Sequence, residues 1–283
     1  MRPENADRHD FAWGARRPAP SARALLEVLR PVMGHGRGKR LLARLWIRRY
    51  GEAAVDVCRL GLRLRLRPKG NAIEAKLLFG GRRREAAELR WIAGHPARTV
   101  FVDVGANIGY YTLAACRMGF ERVISIEPNP DLLERLRFHA ASNGFIDRLC
   151  VCGCAVSDRR GRALLEVPLD GDMGGARLVH FPSGSDAACS RHEVPVLPLA
   201  ELLDREGVRR VDVMKMDVEG HEDRVLAPYL ETAPRTAWPG AVILEHLCAE
   251  RWAVDLYAIL ERAGYRRRAV TRSNTLFVRE CRA

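Results

Sequence analysis

The stretch TVFVDVGANIGYYTL, residues 99–113, decides the fold. It begins with an apolar run broken only by Asp103, which predicts a buried strand ending near Val104, and residues 110–118 then have the spacing of a helix. Gly105 and Gly109 lie in the turn between the two, where the missing Cβ permits a tight bend and lets a ligand approach the backbone. The segment therefore predicts a strand, a ligand-binding turn and a helix, in that order.

The spacing within this turn indicates which ligand it binds. A nicotinamide-binding loop has the form Gly-x-Gly-x-x-Gly, whereas here the middle position is Asn107. The turn instead matches the acidic-x-Gly-x-(Gly/Asn)-x-Gly segment of methyltransferases, which places Asp103 near the ammonium group of S-adenosylmethionine. Glu127 follows a second apolar run, 22 residues beyond Gly105, where a carboxylate can accept hydrogen bonds from both ribose hydroxyls.

Short apolar runs alternate with helical stretches through the rest of the chain. The runs predict strands at residues 122–127, 149–156, 211–216, 241–244, 265–270 and 275–278. Strands that alternate with helices indicate a largely parallel sheet with helices on both faces. Because ligands bind such sheets at the carboxyl ends of the strands, the residues that follow each run are the candidates for chemistry.

Composition places limits on the class of protein. The chain has 283 residues, 47% of them hydrophobic, which is enough for one substantial core. No run approaches the ~18 apolar residues of a membrane-spanning helix, and the N-terminus lacks the pattern of a secretory signal, which predicts a cytoplasmic protein. Eight cysteines without C-x-x-C pairs predict reduced thiols, and those at 150, 152 and 154 are expected to share one face of a strand and pack in the core.

The positive charge lies at the N-terminus. The chain carries a net charge of +12, of which residues 1–84 contribute +14 and residues 85–283 contribute −2. We expect a flexible lead-in over residues 1–22, a basic region of helix and strand over 23–84, and an α/β domain from residue 85 to the end.

The basic region itself has two informative patterns. Residues 22–50 are helical with a glycine-rich break at 34–38, and the second half mixes apolar and basic residues. That half can lie on an anionic membrane surface, or pack on its own domain with solvated arginines. Residues 60–66 alternate leucine with glycine or arginine, which predicts a half-buried strand in a small antiparallel element with one solvated face.

From residue 99 to about residue 270 the sequence resembles the FkbM-type methyltransferase family. The matching segments are FVDVGANIGYYTL (101–113), ERVISIEPNP (121–130), AVSDRRG (155–161), VDVMKMDVEGHEDRVL (211–226) and AVILEH (241–246). The resemblance implies a Rossmann-like class I methyltransferase fold, S-adenosylmethionine as cofactor, and most often O-methylation of a sugar, glycolipid or polyketide-like hydroxyl. It also implies a cofactor site made of Asp103, Gly105, Ala106, Asn107, Gly109, Glu127, Asn129, Ser157 and Asp158.

One position departs from the family pattern. Pro198 stands at the start of a predicted helix, where the family usually carries threonine, and this removes a helix-cap hydrogen bond. The cofactor residues are not affected.

Candidate catalytic residues follow the strand predicted at 211–216. A hydroxyl acceptor must lose its proton, and Asp217 and Glu219 project to the same side if the strand continues, a pairing that can raise the pKa of one carboxyl towards that of a useful base. His221 is an alternative base because its ordinary pKa lies near neutrality, or else a first-turn helix residue that faces solvent. The pair Glu245-His246 is a further candidate, and nothing in the spacing requires a metal.

The remaining features leave alternatives open. Residues 170–193 are rich in glycine and predict a long loop, either a substrate lid or a disordered insertion. An RNA methyltransferase that contacts phosphates through the basic region is one alternative function, but no Asn/Asp-Pro-Pro-Tyr/Phe segment is present. A non-catalytic binding module of the same fold is another, and the intact Asp103, Gly105 and Glu127 argue against it.

Overall fold

The computed structural model describes residues 12–33, 36–69, 71–80, 86–168, 176–179 and 189–280. The helices are α1 (Pro20–Met33), α2 (Gly36–Tyr50), α3 (Ala72–Phe79), α4 (Ala86–Ala93), α5 (Tyr110–Arg117), α6 (Pro130–Asn143), α7 (Leu199–Arg205), α8 (Glu222–Thr232) and α9 (Leu256–Arg262). The strands are β1 (Val55–Arg59), β2 (Leu62–Leu66), β3 (Val100–Val104), β4 (Arg122–Ile126), β5 (Leu149–Cys152), β6 (Ala155–Ser157), β7 (Gly161–Pro168), β8 (Arg177–Val179), β9 (Cys189–Pro198), β10 (Val213–Met216), β11 (Ala241–Glu245), β12 (Tyr265–Val270) and β13 (Asn274–Arg279).

A seven-stranded sheet forms the centre of the fold, in the order β12-β13-β11-β10-β3-β4-β5. The five strands from β11 to β5 are parallel, and β13 and β12 are antiparallel additions at one edge. The strand order reverses between β3 and β10, and such a switch point opens a crevice at the carboxyl ends of the strands. The predicted class I α/β fold is confirmed.

The sheet is buried on both faces, which explains the continuous apolar runs of its central strands. Val102, Ile124 and Met214 belong to the hydrophobic cluster on one face, and Phe101 and Val123 belong to the cluster on the other. All residues of β10 and β11 are buried. No helix in the described ranges is long and apolar enough to cross a membrane.

The N-terminal elements pack on the α/β domain. Leu42 and Trp46 of α2 and Leu64 of β2 share one hydrophobic cluster with Leu113 of α5 and Leu132 of α6. A buried ion pair joins the same layers, because Arg135 of α6 contacts both carboxylate oxygens of Glu74 in α3, at 2.7 Å from Nη1 to Oε2. The first helices and the α/β domain therefore share a core, while the boundaries at residues 22 and 84 stay predictions.

The antiparallel strand predicted at 60–66 is the β1–β2 hairpin, and it differs from the prediction at Arg65. The alternation places Arg65 on a solvated face, but its side chain is buried because Asp56 accepts hydrogen bonds of 2.7 and 3.0 Å from it and the Phe138 ring covers it. Asp56 also accepts hydrogen bonds from the backbone of Gly14 and Arg16. Part of the segment predicted as a flexible lead-in is thus attached to the hairpin, and residues 1–11 lie outside the described part.

A second, four-stranded sheet of order β6-β9-β7-β8 flanks the carboxyl end of the central sheet. Two sequence predictions are wrong here. The strand expected over 149–156 is divided between β5 and β6, so Cys154 lies outside the strand that carries Cys150 and Cys152. The loop expected over 170–193 contains β8 and the start of β9, and the rest of it lies largely outside the described residues.

Candidate functional site

A cavity of about 330 Å³ opens at the switch point of the central sheet. Its walls come from the turns after β3, β4 and β10, the start of α3, and the second sheet. A volume of this size lies in the range of cofactor and small-molecule sites, ~300–1,000 Å³. The cavity lies where the sequence places the cofactor and the chemistry.

Gly105 allows the turns after β3 and β10 to meet. A Cβ at this position would lie 1.7 Å from the carbonyl oxygen of Asp217, and the φ of Gly105 is +78°. Both the contact and the backbone conformation exclude a side chain. Glycine is therefore required for the floor of the cavity, as the sequence predicts.

Glu127 is fixed at the cavity wall by two backbone hydrogen bonds. The backbone N–H of Asn107 donates to its Oε2 at 2.8 Å, and the N–H of Asn129 donates to its Oε1 at 2.9 Å. Burial raises the pKa of this carboxyl to about 7, against the opposing effect of the two N–H donors. Each oxygen retains a lone pair that can accept a hydrogen bond from a ligand hydroxyl.

Asn71 is a site residue that the sequence analysis missed. Its side chain caps α3 by accepting from the backbone N–H of Ile73, and its Nδ2 donates to Oδ1 of Asn107 at 2.8 Å. Asn107 has a φ of 52°, so this bond helps to hold the left-handed conformation of the cofactor turn. The sequence signal that could have found it is an Asn-x-x-Glu capping box that ends at Glu74.

Asp103 adjoins the cofactor turn but is not among the described residues that line the cavity, and its position near the cofactor ammonium stays a prediction. Its carboxylate is buried and accepts a hydrogen bond of 2.6 Å from the hydroxyl of Thr112. Burial raises the pKa of Asp103 to about 6. The side chain points into the layer between β3 and α5, where Lys215 is the nearby positive charge.

The turn after β10 brings three predicted residues, Asp217, Glu219 and His221, to the cavity wall. Nζ of the buried Lys215 donates to Oδ2 of Asp217 at 3.1 Å, which commits that carboxylate to charge pairing. Glu219 has a φ of 56°, and its carbonyl accepts a hydrogen bond from Arg251. The turn has left the extended conformation, so Asp217 and Glu219 are not the same-side strand pair that the spacing suggests.

His221 is held by a chain of polar side chains. Nε2 of His221 lies 2.9 Å from the hydroxyl of Ser157, and that hydroxyl donates to Oδ1 of Asp158 at 3.1 Å. Since the hydroxyl has one proton, Nε2 of the neutral imidazole is the donor in the first bond, and Nδ1 carries the basic lone pair. Burial, together with the charge of Arg224, holds the pKa of His221 below its usual 6.5.

The remaining predicted residues lie outside the cavity wall. Asn129 caps α6, Ala106 donates its backbone N–H to Ile126, and Gly109 caps α5 in the left-handed conformation. Glu245 is buried at the end of β11, where burial raises its pKa to about 7, and His246 contacts Thr275. Of the described residues that line the cavity, the predicted ones are Gly105, Asn107, Glu127, Asp217, Glu219 and His221.

Comparison with known families identifies the class of protein. The family model described as the methyltransferase FkbM domain matches residues 103–267, more than half of the chain. The chain belongs to this family of methyltransferases. The match confirms the sequence-based assignment, and with it S-adenosylmethionine as the cofactor.

Individual relatives are distant. A ribosomal protein L11 methyltransferase from Alteromonas mediterranea is 39% identical over 64 residues, which is 22% of this chain and 22% of that protein. Among solved structures, M. jannaschii TYW2 in complex with AdoMet is 14% identical with a TM-score of 0.39, and covers 81% of this chain and 88% of its own. Ribosomal protein L11 methylase from Lactobacillus delbrueckii subsp. bulgaricus is 11% identical with a TM-score of 0.40, and covers 70% and 79% respectively.

Proposed function

We propose that this methyltransferase transfers a methyl group to a hydroxyl oxygen of a sugar, glycolipid or natural-product acceptor. S-adenosylmethionine supplies a methyl group already activated on a sulfonium, so the chain must bind and orient both partners. An amine acceptor attacks with its own lone pair, whereas a hydroxyl acceptor also needs a base. The observation that supports oxygen is His221, a neutral imidazole held at the cavity wall by Ser157 and Asp158.

The same cavity provides residues for the cofactor. Glu127 would accept the ribose hydroxyls, while the backbone of the turn from Gly105 to Asn107 would lie against the cofactor. Asp217 lies across that turn and would face the opposite end of the cofactor. Asn129 and Ser157 would act through wall residues, because they are hydrogen-bonded to Glu127 and His221, and Asp158 would act through Ser157. Asp103 would act near the cofactor ammonium, as the sequence predicts.

The opposite wall suits an acceptor with polar and apolar parts. Val156, Leu165 and Leu178 of the second sheet form its apolar side, and Glu219 and Arg251 form its charged side. Few convergent polar groups in an otherwise apolar pocket are typical of small-molecule sites. In an acceptor that joins a sugar to a hydrophobic carrier, the sugar would contact the charged side of this wall and the carrier would contact its apolar side.

Acceptor identity can be tested with S-adenosylmethionine that carries a labelled methyl group. The purified chain is incubated with separate pools of glycolipids, hydroxylated natural products, RNA and ribosomal protein, and the labelled product is analysed by mass spectrometry. We expect an O-methyl product from one of the first two pools. Label in RNA or protein alone would overturn the proposal and favour the nucleic-acid or protein alternative.

The base can be tested by replacing His221 with alanine. We expect the methylation rate to fall by about 10²–10⁴-fold, the usual contribution of general base catalysis. Because its pKa is below 6.5, wild-type His221 stays neutral at pH 7, and the rate should fall only as the pH drops through that lowered pKa. The measurement is the rate against pH with saturating cofactor.

His246→Ala is the matched control, since this histidine follows β11 and contacts Thr275 rather than Ser157. It should keep both the wild-type rate and the loss of rate in acid. Retention of the acid limb in His221→Ala would assign the base to another group, with Glu219 the next candidate.

The outward face of α2 has the features of a binding surface within the basic region, residues 23–84. Helix α2 contains six basic residues and no acidic residue. Leu42 and Trp46 face the core. Another stripe of the helix is exposed and carries two leucines, Leu41 and Leu45, which are 49% and 41% exposed. Its basic residues are Arg37, Arg44 and Arg48. Binding of a helix to an anionic lipid surface increases with the apolar area that it can bury there and with the attraction of its basic residues to the lipids, and this stripe offers both. We propose that α2 contacts an anionic membrane, where a glycolipid acceptor would reside.

Co-sedimentation with vesicles tests this contact. Wild-type protein should pellet with vesicles that contain phosphatidylglycerol and not with pure phosphatidylcholine, and Arg44→Glu with Arg48→Glu should remove the binding. Arg137→Glu with Arg262→Glu makes the same change of charge at exposed positions elsewhere and should bind normally. Equal loss in both pairs, or binding to RNA instead of vesicles, would contradict the proposal.

A further inference from the structure

A cluster of metal-binding side chains lies at the edge of the central sheet, on strand β5. Sγ of Cys150 is 3.8 Å from Sγ of Cys152 and 3.1 Å from Oε2 of Glu206, which follows α7. All three ligand atoms lie within 4.8 Å of one another. We propose that Cys150, Cys152 and Glu206 bind a Zn²⁺ ion, or a similar thiophilic divalent cation, at this edge.

The spacing of the sulfur atoms fits tetrahedral coordination. With Zn–S bonds of ~2.3 Å, two thiolates of a tetrahedral site lie ~3.8 Å apart. The strand places both side chains on one face, because residues two apart project in the same direction, and the two thiols turn towards each other to 3.8 Å. Cys154 falls outside β5 and is not part of the cluster, so the three cysteines of the sequence pattern have different roles.

The surrounding charges balance a divalent ion. Two thiolates and one carboxylate carry three negative charges, of which the metal neutralises two. Nη2 of Arg122 lies 3.4 Å from Oε2 of Glu206 and compensates the third. Each thiol releases its proton to solvent as its bond to the metal forms.

The site has an entry path and a connection to the cofactor cavity. Cys150 and Glu206 are half-buried, so an ion and a coordinating water can reach them from solvent, while Cys152 is buried. The carbonyl of Cys152 accepts a hydrogen bond of 3.1 Å from the backbone N–H of Glu127. A metal bound here restrains the end of β5 next to the carboxylate proposed to bind ribose.

Titration of the reduced, metal-free full chain with Co²⁺ tests the site without an enzyme assay. We expect thiolate-to-cobalt charge-transfer absorption that saturates at one equivalent and disappears when Zn²⁺ is added. Cys150→Ser and Cys152→Ser should each abolish it. Glu206→Gln should weaken Co²⁺ binding by more than the ~10-fold that loss of even an outer-shell partner costs.

Cys58→Ser is the control, because this thiol is exposed on the β1–β2 hairpin. It should leave the titration unchanged, and thermal unfolding without metal should show that the other variants are folded. Absence of a saturating signal in the wild type, or a signal that survives in Cys150→Ser with Cys152→Ser, would overturn the proposal and leave a plain thiol-carboxylate hydrogen bond.

Discussion

Gly105→Ala is expected to weaken S-adenosylmethionine binding and to lower the methylation rate by about 100-fold, the cost in rate of displacing reacting groups by ~1 Å. The new Cβ would lie 1.7 Å from the carbonyl oxygen of Asp217, a backbone atom that cannot rotate away. The turns after β3 and β10 would separate, and both carry walls of the cavity. Left-handed strain and overpacking together should lower the free energy of unfolding by about 2–5 kcal/mol. Calorimetric titration measures cofactor affinity, a methylation assay measures the rate, and urea unfolding measures the free energy of unfolding.

The variant Gly144→Ala separates the effect of the steric contact with Asp217 from the effect of left-handed backbone strain. Gly144 ends α6 with a φ of +70°, but no heavy atom of the described residues lies within 4 Å of the position that a Cβ would take, so alanine there meets only the conformational cost. That cost is ~1–2 kcal/mol. Cofactor binding should be unchanged in this variant. Equal losses of stability and affinity in the two variants would show that the approach of Asp217 is not what requires glycine at 105.

Glu127→Gln is expected to weaken cofactor binding by about 10- to 100-fold, since hydrogen bonds to a charged group contribute ~1.5–3 kcal/mol. One carboxylate oxygen would become an amide NH₂ group facing the backbone N–H of Asn107 or Asn129. The variant therefore loses an acceptor for ribose and also disturbs the cofactor turn. Isothermal titration calorimetry of the folded variant measures the change.

Glu245→Gln is the matched control for this variant. Both residues are 6% exposed, Glu127 directly follows β4 and Glu245 ends β11 of the same sheet, and burial raises the pKa of each carboxyl to about 7. Glu245 does not line the cavity, so cofactor affinity should stay close to that of the wild type. A similar loss in both variants would indicate a general response to removing a buried charge.

The parts of the fold that could be predicted from sequence are those with local signals. Strands β3, β10 and β11 are almost entirely apolar, broken internally only by Asp103 in β3 and Lys215 in β10, because both faces of a parallel sheet are covered. Gly105 and Glu127 could be located because a fixed strand-turn-helix-strand unit places them at a fixed spacing. Pro198 also behaves as expected, since it stands at the N-cap of α7 and provides no side-chain cap hydrogen bond.

The second sheet could not be predicted because its strands carry mixed patterns. In β7 and β9, charges pair across the strands on the face opposite the apolar cluster, as in the exposed Arg162 with Glu193 and in Arg191 with the buried Glu166. Such pairs stabilise a sheet only once the strands meet, so single-strand periodicity does not reveal them. The glycine-rich composition nearby then favours a loop in a sequence-based assignment.

Long-range contacts account for the remaining differences. Arg65 belongs to the polar side of an alternating strand, yet Asp56 and α6 bury it. Asn71 reaches the cofactor turn because α3 packs on α6 through the Glu74–Arg135 pair. Asn71 and Asn107 are 36 residues apart. Asp56 is only nine residues from Arg65, but the pair is buried only when the hairpin packs against α6, so tertiary packing overrides the pattern.

Titration of the wild-type chain with S-adenosylmethionine and S-adenosylhomocysteine tests the central claim most directly, namely that the cavity at the β3–β10 switch point is a cofactor site. We predict saturable one-to-one binding of both ligands by isothermal titration calorimetry, with an increase in the thermal midpoint as ligand is added. No binding of either ligand by the folded protein would contradict the account and favour a non-catalytic module of the same fold.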